Sequence, residues 1–534
     1  MSRTGRVFTL SAALMTAMLS SCGGGNKKPV AATAQYADGF SISNVFSSDM
    51  IVQRGENIRI WGWADESQNG RRISGAFMGM TADAVISGGE WELVFPPVEE
   101  PVADAGHDMR IFTDRTETVF SDVLVGDVYI VTGQSNCAYT VETHFAYAGI
   151  SPEGEKGSPD YSLPIRLHYN SLTQTDGYPR RGTTEVCKQV MSGEKWRRAD
   201  GYEKIRDFSA IGYLTAAELV RISGGRVPVG MIEIDGNGQP LGAFMNNQTA
   251  DRMKTDTYDP DTDRYVTTGV NADAGRYLYN HYMYPFERYP IAGLIWYQGE
   301  SDLTPENAFR YPACFGEFIK YMRGTHNTVN PEFPVFYVEF PPLFDCPAGF
   351  PADSEWVYLD LGLIRSVMGT VQRESDNCYQ AVSCDLFSDR SFWNSLHPNI
   401  KDKQALRIAQ LIASVNGSGA PLYEATGPIA GKVTLSEDGR TAVITYRNVG
   451  DGLAASDGGK DVLGFTLCGK DGIPDRSLTF TARITGKDTV TIESDTAICG
   501  IAYNGIFDMV FGSDLNLVGS AGMPAGATYF RTDD

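Results

Sequence analysis

An α/β domain with a parallel sheet, set between two all-β domains, is the fold class this 534-residue sequence predicts. Three observations predict it. Short apolar runs alternate with helix-like segments through the middle of the chain. On either side of that stretch, runs of alternating polar and apolar residues are broken by turn residues. The composition, 42% hydrophobic and 21% charged, supplies several cores and excludes global disorder. Lys plus Arg number 45 against 66 for Asp plus Glu, a net charge of −21 with no basic block. A field of that sign slows the approach of polyanions, which excludes a nucleic-acid partner and favours a neutral or singly charged small substrate.

Residues 1–21 read as an export signal. Arg3 and Arg6 precede an uncharged run from Val7 to Leu19 that is too short to span a bilayer. The run ends in Leu19-Ser20-Ser21-Cys22 and continues Gly23-Gly24-Gly25-Asn26, which resembles the lipobox of bacterial lipoproteins. That resemblance implies lipidation at Cys22 and a protein held in the bacterial cell envelope, touching the membrane only through its anchor. Residues 22–35, mostly small and polar, suit a tether. Residues 36–118 form the first β domain, with runs such as Ile58-Arg59-Ile60-Trp61 between turns.

Residues 119–422 are the α/β domain. The runs Val128 to Val131, Val227 to Ile234 and Ile291 to Tyr297 read as strands, each ending in small or polar residues, and Ala210 to Ile222 and Phe315 to Arg323 read as helices. Strands alternating with helices predict a parallel sheet, and ligands in such folds sit beyond the carboxyl ends of the strands. Residues 423–534 return to a β pattern, with hairpin turns at Glu437-Asp438-Gly439 and Gly486-Lys487-Asp488. Export would expose the cysteines to an oxidising compartment, so a disulfide among Cys346, Cys378 and Cys384 is expected beside buried thiols. No Cys-x-x-Cys or nearby His pair points to a metal.

Gly133-Gln134-Ser135-Asn136 follows the first strand of the α/β domain, where a strand-to-helix turn can expose a hydroxyl and aim N–H groups at an incoming carbonyl oxygen. Of the histidines that could serve as its base, His107, His144, His168, His281 and His326 read better as packed or surface residues. His397 precedes Pro398, Asn399 and an amphipathic run from Ile400 to Val415, which places one imidazole on a loop entering a helix. A third constellation, Trp296-Tyr297-Gln298-Gly299-Glu300-Ser301-Asp302, ends a strand with amides and acids able to donate to an oxyanion, orient an imidazole or bind sugar hydroxyls.

Three of these segments resemble, in order, the blocks of the sialate O-acetylesterases and related carbohydrate esterases of the SGNH hydrolase superfamily: Val123 to Val128 leading into Gly133-Gln134-Ser135-Asn136, Ile295 to Ser301, and His397-Pro398-x-x-Lys401. Met50 to Gln53 with Trp61-Gly62-Trp63, Asp207 to Ala210 with Gly212-Tyr213, and Val227 to Ile232 extend the match over nearly the whole exported chain. The resemblance implies a flavodoxin-like three-layer core and a serine esterase without metal or cofactor. In it Ser135 attacks an acetyl carbonyl, His397 moves the proton, and the oxyanion is held by the N–H of Ser135, a backbone N–H in the Asn237-Gly238 turn and the side chain of Gln298. Its implied partner is an acetylated sugar or glycan.

Four departures stand out. Cys137 replaces a methionine, Asn237-Gly238 a glycine pair, and Gly500-Ile501-Ala502-Tyr503 an Arg-Tyr pair. Asn394 and Ser395 stand where an acid is expected before the histidine. The third member of the site is then sought among Glu300, Asp385, Asp389 and Asn394. The expected activity is removal of O-acetyl groups from sialic acid or a related glycan through an acyl-enzyme. The alternatives are an esterase of acetyl-xylan or other plant polysaccharide, and a glycan-binding surface lipoprotein without turnover.

Overall fold

The computed structural model describes residues 39–532 apart from 154–157, 172–185, 191, 254–255, 260–263, 268–277, 326–330, 343–354, 387–392, 395–396 and 400. The export signal, Cys22, the tether, His326, Cys346 and Asp389 lie outside the described residues. The N-terminal β region holds β1 (Phe40–Ile42), β2 (Ile51–Gln53), β3 (Ile58–Ala64), β4 (Arg72–Phe77), β5 (Met80–Val85), β6 (Glu90–Phe95) and β7 (Val102–Phe112). On β6 the buried positions are Trp91, Leu93 and Phe95, the period-two pattern of a strand with one face on a core. β1, β3 and β6 form an antiparallel sheet, while β4 pairs with both β5 and β7.

The boundary expected between residues 118 and 119 is corrected by the structure. β8 (Glu117–Gly133) runs through it as one 17-residue strand. Its first half pairs antiparallel with β7, Leu124 pairs parallel with Ile51 of β2, and its second half is the central strand of the α/β sheet. Residues of both regions belong to one continuous core. The sequence changes character at this point because β8 passes from a half-exposed hairpin into an interior buried on both faces, and no linker intervenes.

β9 (Ile165–Tyr169), β10 (Arg197–Arg198), β11 (Val229–Asp235), β12 (Gly293–Tyr297), β13 (Val335–Val338) and β14 (Cys378–Ala381) complete the sheet in the order β10-β9-β11-β8-β12-β13-β14. Every neighbouring pair is parallel except β10 with β9. The run β11-β8-β12-β13-β14 has the 2-1-3-4-5 order of a flavodoxin-like doubly wound sheet, with β9 and β10 added at the edge. The main helices are α1 (Val141–Ala148), α2 (Ala210–Ile222), α3 (Pro305–Thr325), α4 (Glu355–Met368) and α5 (Asp402–Val415). α2 packs on α5 and α3 on α4. α2 starts where the Ser209 hydroxyl accepts the Gly212 N–H at 3.2 Å. α5 buries Ile408, Leu411 and Ile412 on one stripe.

The C-terminal domain opens with a helical turn at Leu422–Ala425 and contains β15 (Ile429–Leu435), β16 (Thr441–Arg447), β17 (Phe465–Leu467), β18 (Phe480–Ile484), β19 (Thr489–Ser494), β20 (Gly500–Tyr503) and β21 (Thr528–Arg531). Both expected hairpins are present, joining β15 to β16 and β18 to β19. Its second core is welded to the sheet through two buried charges. Arg365 Nε donates to Asn504 O at 2.9 Å, and Glu339 accepts the Ala527 N–H at 2.7 Å and Asn504 Nδ2 at 3.2 Å. Cys378 and Cys384 carry unpaired buried thiols, so the disulfide expected there does not join these two. Among the described residues no helix is long and apolar enough to cross a membrane.

Candidate active site

After β8 the chain builds β9, β10 and β11 on one side and returns to β12 on the other, and a crevice opens at such a reversal, beyond the carboxyl ends of the strands. Ser135 stands there. Gly133 has φ +151°, and a Cβ at this position would overlap the Tyr297 carbonyl at the end of β12, so glycine lets the two strand ends close up. Gln134 N–H donates to Tyr297 O at 3.1 Å, and its side-chain oxygen accepts the Ser301 N–H at 3.1 Å. The N–H groups of Cys137 and Ala138 return to Gln134 O at 2.8 and 2.9 Å. This tight turn presents the half-buried Ser135, whose Oγ lies 2.7 Å from His397 Nε2, 262 residues away along the chain.

His397 sits on a short backbone pairing with Asn394, just before α5. Burial, reinforced by the Lys401 charge, holds its imidazole down to about 4. At neutral pH the ring is therefore uncharged and its Nε2 lone pair can accept the Ser135 proton. Behind the turn, Lys401 Nζ donates to Asn136 Oδ1 at 2.6 Å and Asn136 Nδ2 donates to Glu300 Oε1 at 2.6 Å. Among the described residues the N–H groups of Ser135, Asn237 and Gly238 meet no acceptor, and no group of three or more His, Cys, Asp or Glu side chains could hold a metal ion.

Comparison with known proteins points to carbohydrate esterases. Residues 194–345 match the family described as carbohydrate esterase, sialic acid-specific acetylesterase. The sialate O-acetylesterases of Homo sapiens and Pongo abelii are each 23% identical over 435 residues, covering 76% of this chain and 77% of theirs. The crystal structure of a carbohydrate acetylesterase from Xanthomonas citri superposes with a TM-score of 0.68 at 21% identity, covering 92% of this chain and all of that one. The chain is thus similar to carbohydrate esterases over 76% of its length.

The other residues expected in the site fall in different places. Glu300 is fully buried and faces Asn136 rather than the imidazole. Asp385 is held by Arg407 at 2.8 Å, so its charge is already answered. The Asn394 backbone lies beside His397, while its side chain, like Asp389, falls outside the described residues. Gln298 departs from its expected role as an oxyanion donor. It is buried, and its Nε2 donates to Asp302 Oδ2 at 2.7 Å and Gln239 O at 3.1 Å, while Tyr311 donates to its Oε1 at 2.8 Å. An amide committed to those partners braces the turn after β12 and has no N–H left for a substrate.

Two groups of site residues escaped sequence reasoning. The Lys401–Asn136–Glu300 chain lay inside the matched blocks but carried no signal of contact. Glu233 and Asp235 share one face of β11, and two acids at that spacing in an otherwise apolar strand were a signal left unread. Glu233 accepts the Ser209 N–H at 2.7 Å, and Asp235 accepts the Ser171 hydroxyl. Burial and the neighbouring Asp235 push Glu233 well up, so Glu233 keeps its proton beside Asp235. His144 is packed in α1, where its Nδ1 accepts the Lys401 N–H at 3.2 Å. His168 lies between Trp196 and Phe286, held down to about 3 by burial.

Proposed function

We propose that the chain is an exported, lipid-anchored serine esterase with an SGNH-type core that removes O-acetyl groups from sialic acid or a related acetylated glycan. The 2.7 Å approach of His397 Nε2 to Ser135 Oγ at the mouth of the sheet carries this reading. Ser135 Oγ attacks the acetyl carbonyl carbon while its proton passes to His397 Nε2. The oxyanion accepts the Ser135 N–H and an N–H of the Asn237-Gly238 turn, each such donor being worth about 3 kcal/mol in the transition state. Collapse breaks the ester bond, the departing sugar oxygen takes the proton from His397, and acetyl-Ser135 remains. Water, giving its proton to His397, then releases acetate and restores the serine.

The experiment is acetate release by the purified protein from O-acetylated sialic acid and, separately, from acetyl-xylan. Faster release from the sialic acid is expected, and Ser135→Ala should lower kcat at least about a thousandfold. Release from acetyl-xylan alone moves the substrate to plant polysaccharide. Saturable sugar binding with no hydrolysis and no fluorophosphonate labelling of Ser135 makes the protein a glycan-binding lipoprotein instead. Incorporation of labelled fatty acid that is lost in Cys22→Ala tests the anchor.

A further inference from the structure

A buried ammonium group lies directly behind the nucleophile turn. Lys401 is fully buried and precedes α5, four residues after His397, while Asn136 immediately follows Ser135. The Asn136 amide takes the lysine on its oxygen and gives its nitrogen to Glu300, both at 2.6 Å, so one side chain links the loops that carry the base, the nucleophile and the turn after β12. The rings of Tyr139 and Tyr297 lie 5.0 and 5.2 Å from the ammonium and close off water. A charged group on either end of one amide in a dry site fixes that amide, and with it the turn, more firmly than neutral partners could.

We propose that Lys401, acting through Asn136 with Glu300 as its counter-charge, holds the Ser135 turn in register with His397 and sets the electrical field in which the imidazolium forms. This rests on the esterase reading above, in which His397 takes the serine proton. Lys401 and Glu300 are positioning residues, since neither touches the reacting atoms. The groups facing Lys401 are Glu300 from the turn after β12, Tyr297 at the end of β12, Cys137 and Tyr139 from the nucleophile turn, His144 from α1, His397 itself and Asp402 next in the chain.

Burial pushes Lys401 down to about 7 and Glu300 up to about 7, each opposed by the other's charge. On the acid side of neutrality the network carries net positive charge and opposes imidazolium formation. Each proton lost makes its field more favourable, so kcat rises with pH through neutrality even though the resting His397 is uncharged well below it.

The test measures kcat and KM for acetate release between about pH 5 and 9 for the full chain, Glu300→Gln and Lys401→Met. Glu300→Gln removes the anion that sustains the lysine charge, so the acid limb of kcat should move down by at least about half a pH unit. Lys401→Met leaves a carboxyl alone in a dry site, so the limb should move up. Its kcat near neutrality should fall about tenfold with KM kept within about twofold. A merely structural lysine would lower the rate equally at every pH. Limbs that stay at the wild-type position, or move in the same direction, overturn the proposal. If Lys401→Met fails to fold, the isosteric Glu300→Gln decides alone, and an unmoved limb refutes it. Absence of wild-type hydrolysis would instead refute the esterase reading, and this proposal with it.

Discussion

Glu233 shows how one side chain can couple stability to pH next to the nucleophile turn. Its carboxyl is buried, held by the Ser209 N–H, and paired with Asp235 in a space that cannot carry two negative charges. Its affinity for a proton is therefore higher in the folded protein than in the unfolded chain, where it titrates near 4.5. For an acid shifted in this direction, the stabilisation is complete below about 4.5 and is lost as the pH climbs from there towards the folded value. Glu233→Gln replaces the retained proton with a permanent N–H to Asp235 while its oxygen keeps the Ser209 bond. The variant should be more stable than wild type by about 1–2 kcal/mol at pH 8, with the advantage vanishing near pH 4. Urea unfolding at the two pH values measures it, and an equal midpoint for both proteins at pH 8 would refute the retained proton. The two acids in an otherwise apolar strand hinted at a buried pair, but strand acids ordinarily face water, and only the fold shows this face turned inward.

At the level of elements, legibility followed from whether the signal was local. α2 was read with its observed bounds, Ala210–Ile222, because its cap and its apolar period are both written within the segment. α3 was read only from Phe315 to Arg323, yet it starts at Pro305, since its first turns carry Glu306, Asn307 and Arg310 and show little apolar period. The β12 turn was recognised, but the commitment of Gln298 to Asp302, Gln239 and Tyr311 depends on packing between distant segments and left no trace in sequence. Ser209 is where an element and the site meet. Its hydroxyl caps α2 by accepting the Gly212 N–H and also donates to Cys137 O at 2.6 Å, tying the helix to the nucleophile turn. Ser209→Ala should cost about 1–2 kcal/mol of stability, more than a cap on a free-standing helix, because a buried carbonyl is left unpaired as well. It should also lower kcat with KM little changed, since the turn loses a tie and no substrate contact. Thermal melts and steady-state kinetics on one preparation check both, and an unchanged kcat would uncouple the helix from the site.

Over the whole molecule, the order of the matched blocks foretold that a serine after β8 and a histidine before α5 would meet, because a doubly wound sheet gathers its strand ends on one rim. The same reasoning drew a domain border at residue 118 that β8 runs straight through, since a change from alternating to continuous apolar residues marks a change of surroundings and says nothing about where a chain can hinge. The C-terminal domain has its own core, yet its attachment is dry. Arg365 is buried with its guanidinium on the carbonyls of Asn504, Ile506 and Pro341, and a Cβ on Gly362 or Gly369 would collide with the backbone of the C-terminal domain. A junction this close makes separation of the domains expose unpaired polar groups, so the described body should unfold in one calorimetric transition in wild type. Arg365→Met leaves those carbonyls and the nearby Glu339 carboxylate without the cation that answers them, at a cost of about 3–5 kcal/mol. The loss falls on the junction and spares the core beneath Ser135, so the variant should show a new, earlier transition for the C-terminal domain. The later transition should stay within a few degrees of the wild-type one. Scanning calorimetry decides it: two transitions already present in wild type, or a single transition lowered as a whole in the variant, would mean that the two cores are joined differently.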